Sequence, residues 1–220
     1  MIIDFKAHVM PGMDKVCKNR IDTIRRLMAA KEAGVDLIVA APVYDPDECG
    51  VEEFLDRRRQ SEDILGSLMN DELPEVMPAA MTKFSERLLT EENLPELCFG
   101  NNCFLLNMKG IEWNDTTEAV LRRLTGKLGM NVILTDAGEA VLKNSEKLRQ
   151  LGVHVMLDLD ELHHKKQIRA YLPLIGSGLV CAIGSDWASE APYRFLRKTI
   201  RRMDEAFETV MAASAHLLGK

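Results

Sequence analysis

Short apolar runs alternate with longer stretches of helical periodicity along the whole chain. The runs fall at 2–5, 37–41, 76–80, 104–106, 132–134, 153–157 and 179–183. They are apolar on both faces, as expected of parallel strands covered by helices rather than of half-solvated antiparallel ones. Between them, Asn19 and Asp22 open a helical segment with Ile21, Ile24, Leu27 and Met28 on one face and Gly34 as its stop. Residues 51–68 place Phe54, Leu55, Ile64, Leu65 and Leu68 near one stripe, leaving Arg57, Arg58 and Arg59 to solvent. Residues 116–128 carry Val120, Leu121, Leu124 and Leu128. Leu148 and Leu151 precede Gly152, and Ile168, Tyr171, Leu172 and Ile175 precede Gly176. Residues 193–218 read as two consecutive helices.

Seven strand-then-helix units in series predict an α/β fold, a TIM-like distorted parallel barrel, with a doubly wound open sheet as the alternative. No linker, repeat or low-complexity tract divides the chain, so residues 1–220 read as one domain. In such barrels the chemistry collects at the C-terminal strand ends. Those positions hold Lys6 and His8, Val43, Met81, Asn107, Asp136, Asp158 and Asp160, and Asp186.

Composition narrows the setting. Hydrophobic residues make up 46% and charged residues 28%, the balance of a globular chain. A net charge of −6 leaves no excess of Lys or Arg to neutralise phosphates, which argues against nucleic acid or an anionic membrane as partner. No run approaches the roughly 18 apolar residues of a membrane span. The start lacks a basic, then apolar, signal pattern, and the five cysteines are scattered without a C-x-x-C. A reduced, cytoplasmic protein is the expectation. No Cys is followed six positions later by Arg, so a thiol-phosphatase loop is absent.

The opening residues Asp4-Phe5-Lys6-Ala7-His8-Val9-Met10-Pro11-Gly12-Met13-Asp14 resemble the first motif of the polymerase-and-histidinol-phosphatase (PHP) superfamily. They are most similar to its bacterial manganese-dependent tyrosine-protein phosphatases of capsule and exopolysaccharide synthesis, which begin D-I-H-C-H-I-L-P-G-I-D-D-G. Further matches follow in order. Ile38 to Tyr44 resembles V-A-T-P-H-Y, residues 51–68 the F-L-x-R-R helix, and Gly178 to Asp186 the pattern G-L-V-H-x-I-A-S-D-A-H. Ala215-His216-Leu217-Leu218-Gly219 resembles the closing helix. The resemblance implies a (β/α)7 PHP-type barrel and a hydrolytic site in which His, Asp and Glu from the strand ends hold several metal ions.

Position by position, the chain departs from that ligand set. The first His of H-x-H is Lys6, while His8 keeps the second. The His of T-P-H-Y is Val43, and the Glu positions after the third and fourth strands are Met81 and Asn107. Asp136 stands for the His of H-P-E-R, and Glu139 for its Arg. Asp14 is kept but its neighbour is Lys15; Asp186 is kept but the His two residues on is Ala188. A multi-metal site cannot be assembled from this remainder. The expectation is a binding or regulatory homologue with no cofactor, whose partner is an unidentified small molecule or protein, with oligomerisation left open. The alternative is a phosphoesterase using manganese or another divalent metal in a reduced site at His8, Asp136 and Asp186, an acceptable donor set in principle.

Two readings of Lys6 stand side by side. Either its ammonium offsets converging carboxylates, Asp136 and Asp186, without a metal, or the side chain points to solvent. A metal-free acid–base role would require a desolvated lysine. Asp158 and Asp160 either aim inward together or cap the next helix, the commoner use. His163-His164-Lys165-Lys166 and the basic cluster Arg197, Lys198, Arg201 and Arg202 read as solvated helix faces. Trp113 and Trp187 read as packing residues.

Overall fold

The computed structural model describes residues 1–13, 16–139, 143–159, 173–185 and 204–220. Among the described residues nine strand segments run in order: β1 Ile3–Ala7, β2 Leu37–Ala40, β3 Val43–Tyr44, β4 Glu75–Pro78, β5 Met81–Lys83, β6 Cys103–Asn107, β7 Asn131–Thr135, β8 His154–Asp158 and β9 Val180–Gly184. All neighbouring pairs are parallel, in the order β3-β5-β6-β7-β8-β9-β1-β2-β4. The helices are α1 Arg20–Glu32, α2 Val51–Gly66, α3 Asp115–Arg122, α4 Ser145–Gln150 and α5 Asp204–Leu218.

The two ends of that strand order meet. β2 and β3 are successive pieces of one run, as are β4 and β5, and their pairing keeps one register across both breaks: Leu37 with Glu75, Ala40 with Pro78, then Val43 with Met81. Nine segments are therefore seven staves, and the sheet curls into a distorted barrel rather than an open doubly wound sheet. The staves that begin at the expected runs 37–41 and 76–80 extend beyond them as β3 and β5, with a break around Ala41-Pro42 and Ala79-Ala80 where Pro42 has no N–H to donate. Ladder bonds continue sparsely through the seam, from the Ala79 N–H to the Ala40 carbonyl and from the Met81 N–H to the Pro42 carbonyl. Arg58 donates to the Ala79 carbonyl at 3.3 Å and pairs with Glu62. It is thus a brace on the seam and not a solvated arginine.

Two other expectations are corrected. On α1 the anticipated apolar face is largely outside: Ile21 is 68% exposed and Met28 52%, while Thr23, Leu27 and Ala30 are buried. The helix docks through small residues, and the buried Thr23 hydroxyl donates to the Val9 carbonyl. Asn19 does cap this helix, accepting from the Ile21 and Asp22 amides. The unit between β5 and β6 holds two 3-10 turns, Glu86–Leu89 and Leu94–Leu97, instead of a helix. Short-range hydroxyl and carboxylate bonds from Ser85, Thr90 and Glu91 compete there with helical continuation. The segment around Ile168, Tyr171 and Leu172 and the first of the two late helices lie outside the described residues.

Closure at the β1–β9 seam depends on a glycine. A Cβ on Gly184 would collide with the Phe5 carbonyl oxygen and the Met156 sulfur. Beside it, Asp4 accepts from the Ser185 amide at 2.9 Å and from its hydroxyl at 2.7 Å. Gly184→Ala is expected to destabilise the fold by about 3 kcal/mol, since overpacking here meets backbone that cannot retreat. Urea denaturation followed by circular dichroism would measure it.

Candidate functional site at the barrel mouth

The C-terminal strand ends converge on a buried lysine. Lys6 lies in β1 with φ +64°, where the β1–β2 register shifts between Asp4 and Ala7. Such a bulge re-aims a side chain out of the regular alternation. The Lys6 side chain is fully buried, and its Nζ donates to Asp158 Oδ1 at 2.8 Å and Asp136 Oδ2 at 3.0 Å. Asp158 ends β8. Asp136 follows β7 with φ +50°, and its own amide donates to Asp158 Oδ2 at 2.9 Å. Two of the three non-glycine residues with positive φ among those described are thus bonded to each other here. Backbone strain of this kind persists only where surrounding bonds fix it.

Neighbouring strands complete the cluster. Asn107, closing β6, donates its amide to Asp136 Oδ2 at 2.7 Å, and the Thr135 hydroxyl lies 3.3 Å from the same oxygen. The Asn107 oxygen accepts from the Lys109 amide. Met81, buried at the start of β5, places its sulfur 3.5 Å from Asn107 Nδ2 and 3.4 Å from Thr135 Oγ1. One carboxylate oxygen therefore faces an ammonium, an amide N–H and a hydroxyl.

Burial pushes the Asp158 carboxyl up to about 6. The Lys6 charge pulls it back down, and the negative Asp136 adds to the rise. Because its folded value lies above the ordinary 3.8, Asp158 favours the fold most when protonated. That contribution is full below about pH 4 and declines as pH rises through about 6.

The geometry brings together Lys6, Asn107 and Asp136 and adds Asp158, which the sequence left between an inward aim and helix capping. The clue was an acid closing an otherwise apolar run. The solvent-pointing reading of Lys6 is overturned, because the bulge turns its stem inward. His8 sits half-buried just beyond β1. Val43 is 38% exposed and contributes no donor. Asp14, Asp160, Asp186, Ala188, His163, His164, Trp187 and the late basic cluster lie outside the described residues. Glu139 forms an exposed pair with Lys143.

A divalent metal does not fit this donor set as it stands. Both carboxylates are directed at an ammonium, Asn107 presents N–H rather than oxygen, and Met81 offers a thioether that hard cations disfavour. Among the described residues no three His, Cys, Asp or Glu side chains are grouped to hold a metal ion.

At the same barrel end, a cavity of about 480 Å³ lies between the loop after β3 and the segment after β5, lined by Pro46, Cys49, Gly50, Arg87, Thr90 and Glu91 among others. Arg87 spans it, donating to the Pro46 carbonyl at 2.6 Å. Among the described residues no helix is long and apolar enough to cross a membrane.

Fold and strand-end layout together define the class: a distorted parallel barrel of seven staves with polar side chains gathered at its C-terminal mouth. Neither a protein-family model nor a curated protein sequence matches the chain. A solved structure does, from the crystal structures of YwqE from Bacillus subtilis and CpsB from Streptococcus pneumoniae, described as unique metal-dependent tyrosine phosphatases. The match has a TM-score of 0.74 at 16% identity, covering 99% of this chain and 94% of that one. It establishes a shared barrel over the whole length.

Two outcomes follow from the ion cluster. Carbon-13 NMR titration should place the Asp158 carboxyl near 6, and Lys6→Met should move it higher, since the cation that lowers it is gone. The same variant should lose about 3 kcal/mol of stability at pH 7.5 in urea unfolding, with a smaller deficit at pH 5, where a protonated Asp158 needs no counter-charge.

Proposed function

We propose that this chain is a phosphatase-fold barrel that works as a binding or regulatory protein and not by multi-metal hydrolysis. One observation carries the reading: the Lys6 ammonium lies between Asp136 and Asp158 at the strand ends where a metal-dependent relative needs open carboxylates and imidazoles. A metal entering there would have to displace a covalently attached cation and turn two further hydrogen-bond donors, Asn107 and Thr135, away from Asp136. The resemblance to tyrosine phosphatases of exopolysaccharide synthesis supplies the setting of the proposal: a cytoplasmic protein of that regulation, recognising its ligand without cleaving it. The polar cavity beside Arg87 offers room on the same face. Its volume falls within the range of small-molecule sites.

The competing reading is a phosphoesterase with a reduced site at His8, Asp136 and Asp186. Protein dialysed against manganese and assayed on p-nitrophenyl phosphate and a phosphotyrosine peptide separates the two. The expected result is no stoichiometric manganese by elemental analysis and no manganese-dependent turnover above that of Asp186→Ala. Turnover that requires manganese and vanishes in both His8→Ala and Asp186→Ala would establish the phosphoesterase instead.

A further inference from the structure

We infer that Lys6 is a built-in cation that meets a charge requirement of this barrel mouth, so that removing its side chain creates a cation site at Asp136 and Asp158. The inference deepens the reading that no metal is held at the mouth, and rests on it.

The argument begins with what remains when the ammonium is taken away. Two carboxylates linked by the Asp136 amide bond to Asp158 Oδ2 would face each other across the vacated space. Asp158 is nearly buried, with 5% of its side chain exposed, and cannot turn to water. Asp136 is bound to Asn107 and Thr135 from neighbouring strands, so it too is held in place. Like charges fixed in a poorly solvated site must acquire a proton or a cation. With 18% of its side chain exposed, Asp136 marks the side from which an ion can enter.

Size selects the replacement. The oxygens lie 2.8 and 3.0 Å from Nζ. Hard cations bind oxygen at about 2.3–2.6 Å for Ca²⁺ and about 2.0–2.1 Å for Mg²⁺. Ca²⁺ therefore needs the smaller contraction of the two. The part of Lys6 lost on truncation to alanine has the shape of a propylammonium ion, which restores the same hydrogen bonds with no contraction. The native site is a carboxylate pair already shaped around one positive charge.

The test uses the full chain carrying Lys6→Ala at pH 7.5, with wild-type and Lys6→Ala/Asp158→Asn as controls. Thermal and urea midpoints are measured with n-propylammonium, CaCl₂ or MnCl₂, against choline chloride at matched ionic strength. The expected result is that Lys6→Ala recovers at least half of its lost midpoint, saturably, with one or more of these cations. The wild-type and the double variant should not respond. Should Lys6→Ala be recovered unfolded, dilution from urea with and without each cation gives the same reading: folding only with a cation supports the inference. No rescue by any of the three, or an equal rise in wild-type or double variant, overturns it. Stoichiometric manganese on wild-type protein would instead overturn the proposed function, so the two failures are distinguishable.

Discussion

A buried ammonium held between one buried and one partly exposed carboxylate is the constraint around which the barrel mouth is organised. Desolvating three charges costs several kcal/mol per ion unless each finds partners. Here the partners come from four strands: Lys6 from β1, Asn107 from β6, Asp136 beside Thr135 of β7, and Asp158 from β8. Such a network is satisfied only when those strands are in register. The ion cluster is therefore a check on barrel assembly. Its charges have little freedom left for chemistry, which is why the proposed function looks to binding.

Barrel closure is secured by different means around its circumference. Between β1 and β9 the strands approach closely enough to demand Gly184, and the buried Asp4–Ser185 bonds tie the first described strand to the last. Two seams further round, past β1–β2, the staves are interrupted at Ala41-Pro42 and Ala79-Ala80, and an arginine from α2 supplies part of the missing bonding. The first seam is held by fit and the second by a side-chain brace. The cavity beside Arg87 belongs to the interrupted side, built on the loops that leave β3 and β5.

Much of this was legible from residue order. The two-sided apolar runs announced parallel strands, and the Asp4-to-Asp14 motif announced the barrel type that the shared fold bears out. Helix starts such as Asn19 were readable because capping is local chemistry. What escaped was decided by packing. The α1 apolar stripe faces outward because Thr23 and Ala30 allow a closer approach, and no periodicity count weighs fit against area. Arg58 looked solvated because its acceptor, the Ala79 carbonyl, exists only where a strand breaks. Lys6 was readable as a departure from a ligand pattern. Its second described partner was not, because Asp158 sits where an acid ordinarily caps a helix, and only the bulge at Lys6 aims the ammonium toward it.

The attachment of that cation to the backbone has a thermodynamic consequence. A site completed by a dissociable ion ties the folded population to the free concentration of that ion, gaining stability only in proportion to the logarithm of its occupancy. Lys6 cannot dissociate, so its contribution is independent of chelators, competing metals and dilution. A barrel that keeps this positive charge in the chain is exempt from mass action at Asp136 and Asp158, whose counter-charge does not follow the supply of any free ion.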